Sequence, residues 1–138
     1  MNTLLLDRST WDLCLTASGD IAVASDPYSI SQDVCSAVRT FLGECWYDTA
    51  LGVPYFAQIL GRFPPLAVVK NLLANAASTV PGCFSPVVVV QSLSQSRVLT
   101  GQVQFKDSQG NAQVTTFSTQ IPLVLGGSTL GRPRPGQI

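Results

Sequence analysis

The segment FLGECWYDTALGVPYFAQILG, residues 41–61, constrains this chain more than any other, because it separates two helical patterns and has no period of its own. It holds Phe41, Trp46, Tyr47, Tyr55 and Phe56, several glycines, Pro54, and Glu44, the only glutamate in the sequence. Aromatic side chains bring large apolar areas, with a polar tip on Tyr and Trp. A long irregular segment in a small domain is usually functional or firmly docked. Two readings stand open: a well-packed connection between helices, or a surface that grips a partner.

On its N-terminal side, Trp11, Leu13 and Leu15 alternate with Asp12, Cys14 and Thr16, then a turn at 17–20 precedes Ile21-Ala22-Val23-Ala24. This pattern predicts a β-hairpin, ended at Asp26-Pro27 because the residue before proline leaves the helical region. Ser29 stands three residues before Gln32 as in a capping box, with Asp33 adding negative charge to the first turn. Ile30, Val34, Val38, Phe41 and Leu42 then predict an amphipathic helix over 29–42, with Gly43 as its left-handed cap.

Beyond the segment, Pro64-Pro65 opens a second helix, whose buried face is Leu66, Val69, Leu72, Leu73 and Ala76 and whose stop is Val80-Pro81-Gly82. Three strands follow. Residues 87–93 carry continuous valines that suit burial on both faces, and 98–105 and 112–121 join as a hairpin through 107–111. The expected fold class is α+β, with an N-terminal β-hairpin, two helices and a C-terminal antiparallel sheet. A single domain is expected over 1–125, followed by an extended Gly/Pro-rich tail over 126–138.

Composition narrows the function classes. Hydrophobic residues make up 46% of the 138 and charged ones 12%, against about 25% charged in an ordinary soluble domain; so uncharged a surface favours a subunit of something larger. Eight basic and eight acidic residues are scattered singly, leaving no footprint for phosphate backbones, and no nucleic acid is expected as a partner. No apolar run is long enough to span a bilayer, and the leucines of MNTLLLDRSTW are too few for a signal-peptide core, so no membrane is expected and assembly in the cytoplasm is.

The four cysteines, Cys14, Cys35, Cys45 and Cys83, form no C-x-x-C and the chain has no histidine. The common zinc arrangements are therefore absent, and the cysteines read as reduced thiols. Without histidine the usual Ser-His-Asp and Cys-His nucleophiles fall away, and no phosphate loop, dinucleotide fingerprint or calcium loop occurs. Neither cofactor nor metal is expected. The enzymatic option left is a carboxylate pair for glycoside hydrolysis, Glu44 with Asp48 or Asp20.

The last hairpin is rich in Val, Thr and Gln, with no Lys or Glu between 112 and 121. Exposed strand edges are normally blunted by charge, proline or bulges. Either the edge is covered by its own chain, or Val114, Thr116 and Phe117 belong to a strand that pairs with a partner. In the tail, Arg132 and Arg134 can anchor on a partner's carboxylates.

The order of elements carries a resemblance: a hairpin with a GDI turn, a helix opening S-x-x-x-D-V, then G-E-C-W-Y-D, G-V-P-Y and I-L-G, a second helix, and terminal strands. It resembles the baseplate wedge family of contractile phage tails, whose members are also called sheath initiators and which has a relative in type VI secretion baseplates. The resemblance runs from about Trp11 to Ile121 and is densest at 43–61. It implies a non-enzymatic structural subunit of the virion tail baseplate, near the hub. The implied partners are wedge subunits and the tail sheath protein, with hub or tube proteins as further neighbours. The family pattern of Gly-Glu followed by Pro-Arg is matched here at Gly43 and Glu44, while Cys45 and Trp46 replace the next two. Glu44 is thereby implied as a contact to the wedge, and the aromatic segment, with Trp46, Tyr47 and Tyr55, is expected to hold the chain there beside it. Some members bear a lysozyme label, which keeps a peptidoglycan hydrolase as the alternative, beside an adaptor of a noncontractile tail.

Overall fold

The computed structural model describes residues 2–59, 64–93 and 98–118. Its elements are α+β: an N-terminal arm containing β1 (Thr3–Leu4) and β2 (Val23–Ala24), helix α1 (Tyr28–Arg39), a short π-helix (Tyr55–Ile59), helix α2 (Leu66–Ser78), and strands β3 (Phe84–Leu93), β4 (Leu99–Lys106) and β5 (Ala112–Ser118). The three long strands form an antiparallel sheet in the order β3-β4-β5. Helix α1 packs on β5, α2 packs on β3, and the helices touch each other. The result is two layers with one core. Ile30, Val34 and Val38 of α1 and Val69, Leu73 and Ala77 of α2 meet Val88, Leu99, Val103, Phe105 and Phe117 of the sheet.

Among the described residues, one face of the sheet is covered and the other is not. Val88 is buried while Val87 and Val89 are exposed, so the valine run is packed on one side and open on the other, contrary to its reading as a doubly buried strand. The β-period, not the run's overall hydrophobicity, decides which residues enter the core. The ladder ends at Ser118 among the described residues; the part of the expected strand beyond it, and the domain boundary at 125, lie outside them.

Helix α1 differs from its sequence reading at both ends. Its N-cap is Pro27, without a side-chain cap, and no acid lies in the first turn; the Ser29 hydroxyl donates instead to Asp26 Oδ1 at 2.5 Å. The helix stops at Arg39 because Thr40 is extended, so Gly43, at φ 88°, serves the turn that follows rather than a helix cap. Gln32 is 3% exposed. Its Nε2 donates to the Leu4 carbonyl at 2.7 Å, and its Oε1 accepts from the Leu6 N–H at 2.8 Å. One amide thus acts as a neighbouring strand for the arm, which the capping-box reading missed.

The arm itself is more than the expected hairpin. Leu15 faces Ile21 as predicted, but Thr3 and Leu4 also pair with Ala24 and Val23, and Leu6 bridges Leu13. Trp11, at φ 57°, breaks the expected first strand. Its ring lies under the Arg39 guanidinium, 5.0 Å from the centroid, while Arg8 sits over Tyr28 at 4.7 Å. These contacts tie the arm to α1.

Replacing Gln32 by Leu leaves one carbonyl and one N–H, both part-buried, without the amide that pairs them. The expected loss is about 1–3 kcal/mol of stability, the cost of leaving such groups unpaired. Urea unfolding measures it, and unchanged stability with an unchanged Leu6 amide exchange rate would refute the clamp.

Candidate partner interface

Residues 41–59 fold into a loop with a closed neck. Val53 N–H donates to Thr40 O at 2.8 Å and Leu42 N–H to Val53 O at 2.9 Å, pairing Phe41 with Val53 in parallel. Gly52, at φ 111°, lies so near this crossing that a Cβ there would come within 2.6 Å of the Phe41 carbonyl carbon. Only glycine fits. Beneath the neck Tyr55 is buried, its ring 4.8 Å from Phe41 and its hydroxyl donating to Val38 O at 2.5 Å. Burial raises its pKa above the ordinary phenol value.

Pinning the neck forces the loop's other aromatics out. Trp46 is 89% exposed and meets Tyr47 edge-to-face at 5.7 Å. The hydrogen bond between Tyr47 and the Cys45 thiol is the first cause of the raised Tyr47 pKa. Glu44 is exposed and closes the preceding turn, its Oε2 accepting from the Phe41 N–H at 3.1 Å while its own N–H donates to Phe41 O. Asp48 Oδ1 accepts from the Ala50 N–H at 3.0 Å. Local bonds therefore shape the turns that carry a platform of Glu44, Trp46, Tyr47 and Asp48. Tyr55 does not belong to it. A phenol 2% exposed is a core residue, and its inclusion among partner-binding residues is corrected by that burial.

The second candidate surface is the β4–β5 hairpin. Asp107 N–H donates to Asn111 O at 3.0 Å, making this a hydrogen-bonded pair. Alternation along the antiparallel ladder then turns the N–H and C=O of Val114 and Thr116 away from β4, consistent with their pairing opposite Gln104 and Gln102. The Thr116 carbonyl indeed accepts from Cys35 Sγ on α1, at 3.6 Å. Val114 and Thr116 carry exposed side chains, whereas Phe117 is buried, its ring against Gly101. Phe117 is thus a second correction: it packs the core under the edge. Arg132 and Arg134 lie outside the described residues. Opposite β5, edge strand β3 is interrupted by Pro86, by Ser85 at φ 50°, and by two breaks in register. Of the two edges, β5 alone keeps a regular ladder.

Cys14, Cys35, Cys45 and Cys83 are all free, Cys35 and Cys83 buried. Among the described residues no cluster of His, Cys, Asp or Glu is placed to hold a metal, and no helix is long and apolar enough to cross a membrane.

No protein-family model and no curated protein matches this chain. A solved structure does. A Geobacter sulfurreducens protein named "putative tail lysozyme" superposes with a TM-score of 0.55 at 12% identity, covering 70% of this chain and 92% of that one. At that identity the likeness is one of fold.

Two outcomes test these surfaces. Desolvation raises the Asp107 pKa, but hydrogen bonds from Asn111, Gln113 and Gln109 outweigh it, and the net shift is downward. Its contribution to the hairpin is therefore complete above the unfolded carboxyl value of about 3.9, and is lost as pH falls through the lower folded value. An NMR titration of the 109 and 111 amides should show an inflection below the ordinary carboxylate range; one at the ordinary value would refute the turn's role. Trp46→Ala, by contrast, should leave the unfolding midpoint within about 0.5 kcal/mol of the parent, as surface substitutions do. A larger drop would mean that Trp46 packs the fold.

Proposed function

We propose that this chain is a structural, non-enzymatic subunit of a contractile phage tail baseplate, held on the wedge by the Glu44–Trp46–Tyr47 platform and offering strand β5 to the first sheath subunits. The observation that carries this reading is the regular edge of β5. Its outward N–H and C=O groups at Val114 and Thr116 come without charge, proline or bulge, the arrangement that β-augmentation uses and that free edges ordinarily avoid. The likeness to a protein named for a tail adds support from the fold. So does the exposure of Trp46 beside Tyr47, since Trp and Tyr are enriched among the side chains that anchor interfaces. Hub or tube proteins would be the further neighbours of a subunit placed there.

The other half of that neighbour's name favours a second reading, a lysozyme-like hydrolase using Glu44 with Asp48 or Asp20. The geometry gives it less. A glycosidase acid commonly sits in an apolar pocket, whereas all three carboxylates are exposed and each accepts from a nearby donor, Asp20 Oδ2 from Ser18 at 2.9 Å. An adaptor of a noncontractile tail would share the platform but make no use of the edge.

Proline at 114 and 116 removes outward donors while sparing the bonds to β4. The folded double variant Val114→Pro/Thr116→Pro should lose capture of the sheath protein in a pull-down. Capture equal to the parent's would exclude β5 as the docking edge. Glu44→Gln should weaken capture of wedge subunits in a folded protein, whereas muramidase activity abolished by the same change would establish the hydrolase instead.

A further inference from the structure

The open edge of β5 is flanked by a cation that no carboxylate of the chain pairs. Helix α1 packs on β5, and Cys35 Sγ donates to the outward Thr116 carbonyl at 3.6 Å. Arg39 follows Cys35 by one helical turn, on the same face of α1. Its guanidinium lies over the Trp11 ring, 5.0 Å from the centroid. It is also close enough to the Cys35 thiol and the Tyr55 phenol to oppose the upward shift that burial gives both groups. These neighbours place the charge at the C-terminal end of α1, on the helix side of the strand edge.

Arg39 is half-buried, and its Nη1 is sealed from solvent with no hydrogen-bond partner. A guanidinium carries its N–H donors in a planar fork shaped for a carboxylate, and a charged donor left unpaired costs more than a neutral one. The helix C-terminus and the Trp11 ring both favour a cation here, but neither accepts an N–H in the plane of the fork. The rest of the chain has no acid to offer. All eight acidic side chains lie among the described residues, and none bonds this nitrogen. Each accepts from another donor instead, as Glu44 does from Phe41, Asp48 from Ala50 and Asp33 from Thr3.

An incoming strand can bring one. Laid beside β5, its backbone takes the outward groups of Val114 and Thr116, and its side chains alternate between the sheet's open face and its helix face. A residue on the helix face comes down beside Cys35 and Arg39. Taking β5 as the docking edge proposed above, we infer that the strand it receives carries an aspartate or glutamate in its helix-facing row, and that Arg39 selects it. Backbone pairing is nearly indifferent to sequence. A half-buried guanidinium is not, because a strand that places an apolar residue there leaves the fork unpaired and one that places a base repels it. Arg39 thus gives the edge its register and its choice of partner.

Two short peptides test this. Both alternate valine and threonine between terminal lysines, and they differ only in a glutamate or a glutamine within the valine row, which the apolar helix layer draws to its own side. Titrated into the labelled full-length chain, each should shift the Val114 and Thr116 amides, the glutamate peptide binding about tenfold tighter, the scale of a charge-assisted hydrogen bond. The preference should vanish in Arg39→Gln and survive in part in Arg39→Lys, which keeps the charge without the fork; unchanged amides at 107–111 check that the variants keep the hairpin. Equal affinity of the parent for the two peptides, a preference that Arg39→Gln retains, or binding of neither peptide would overturn the inference. Sheath capture separates it from the baseplate reading. A parent that prefers the glutamate peptide but captures no sheath protein refutes that reading and supports the acidic strand, whereas equal capture by the parent and folded Arg39→Gln upholds the docking edge and overturns the acidic strand.

Discussion

The hydrogen bond from the Tyr55 hydroxyl to the Val38 carbonyl is the contact on which the arrangement of surfaces depends. The last carbonyls of a helix have no partner within it, and α1 ends against a loop that must turn back at once because Thr40 is extended. A buried phenol answers both needs. It satisfies one terminal carbonyl and places a ring against Phe41, while the chain crosses itself between Thr40 and Val53. Once that crossing is closed, residues 43–51 have no core left to enter. Trp46 and Tyr47 are outside because Tyr55 and Phe41 are inside.

The sequence made this legible in outline and not in its division of labour. Density of aromatics identified residues 41–61 as special, but an irregular segment has no period, and only a period separates core from surface in a sequence. Tyr47 and Tyr55 look alike until the neck is known. The helices and the β4–β5 hairpin were readable because their signals are local: repeats at helical spacing, and an Asp-to-Asn turn whose Asp107 side chain holds the amides of Gln109 and Asn111. Gln32 was misread for the opposite reason. Its partners Leu4 and Leu6 lie far away in sequence, and a local motif offered a plausible but wrong use for the same side chain.

The valine run teaches a related lesson about layers. A string of apolar residues describes what a strand tolerates, not what covers it. Two helices of twelve and thirteen residues cover one face of three strands, and the described elements include none placed over the other. Val87 and Val89 are therefore exposed beside Gln102 and Gln104, and Val114 and Thr116 continue the same rows on β5. The low charge of the chain accords with the same surfaces: exposed side chains on the sheet's open face and on the arm include many that are apolar or uncharged.

The two sheet edges show what that selection separates. Aggregation through a free edge threatens any sheet, and β3 carries the usual defences in Pro86 and in its broken register. Strand β5 carries none of them, although its outward groups are as capable of pairing. Cys35 occupies the Thr116 carbonyl only through a thiol at 3.6 Å, and a thiol is a weak donor. An incoming backbone N–H would make the stronger bond at the same oxygen. A protein under pressure only to stay soluble would gain from one lysine in this strand; a regular, uncharged ladder beside a guarded one is the physical argument behind the proposal that β5 pairs with a specific strand.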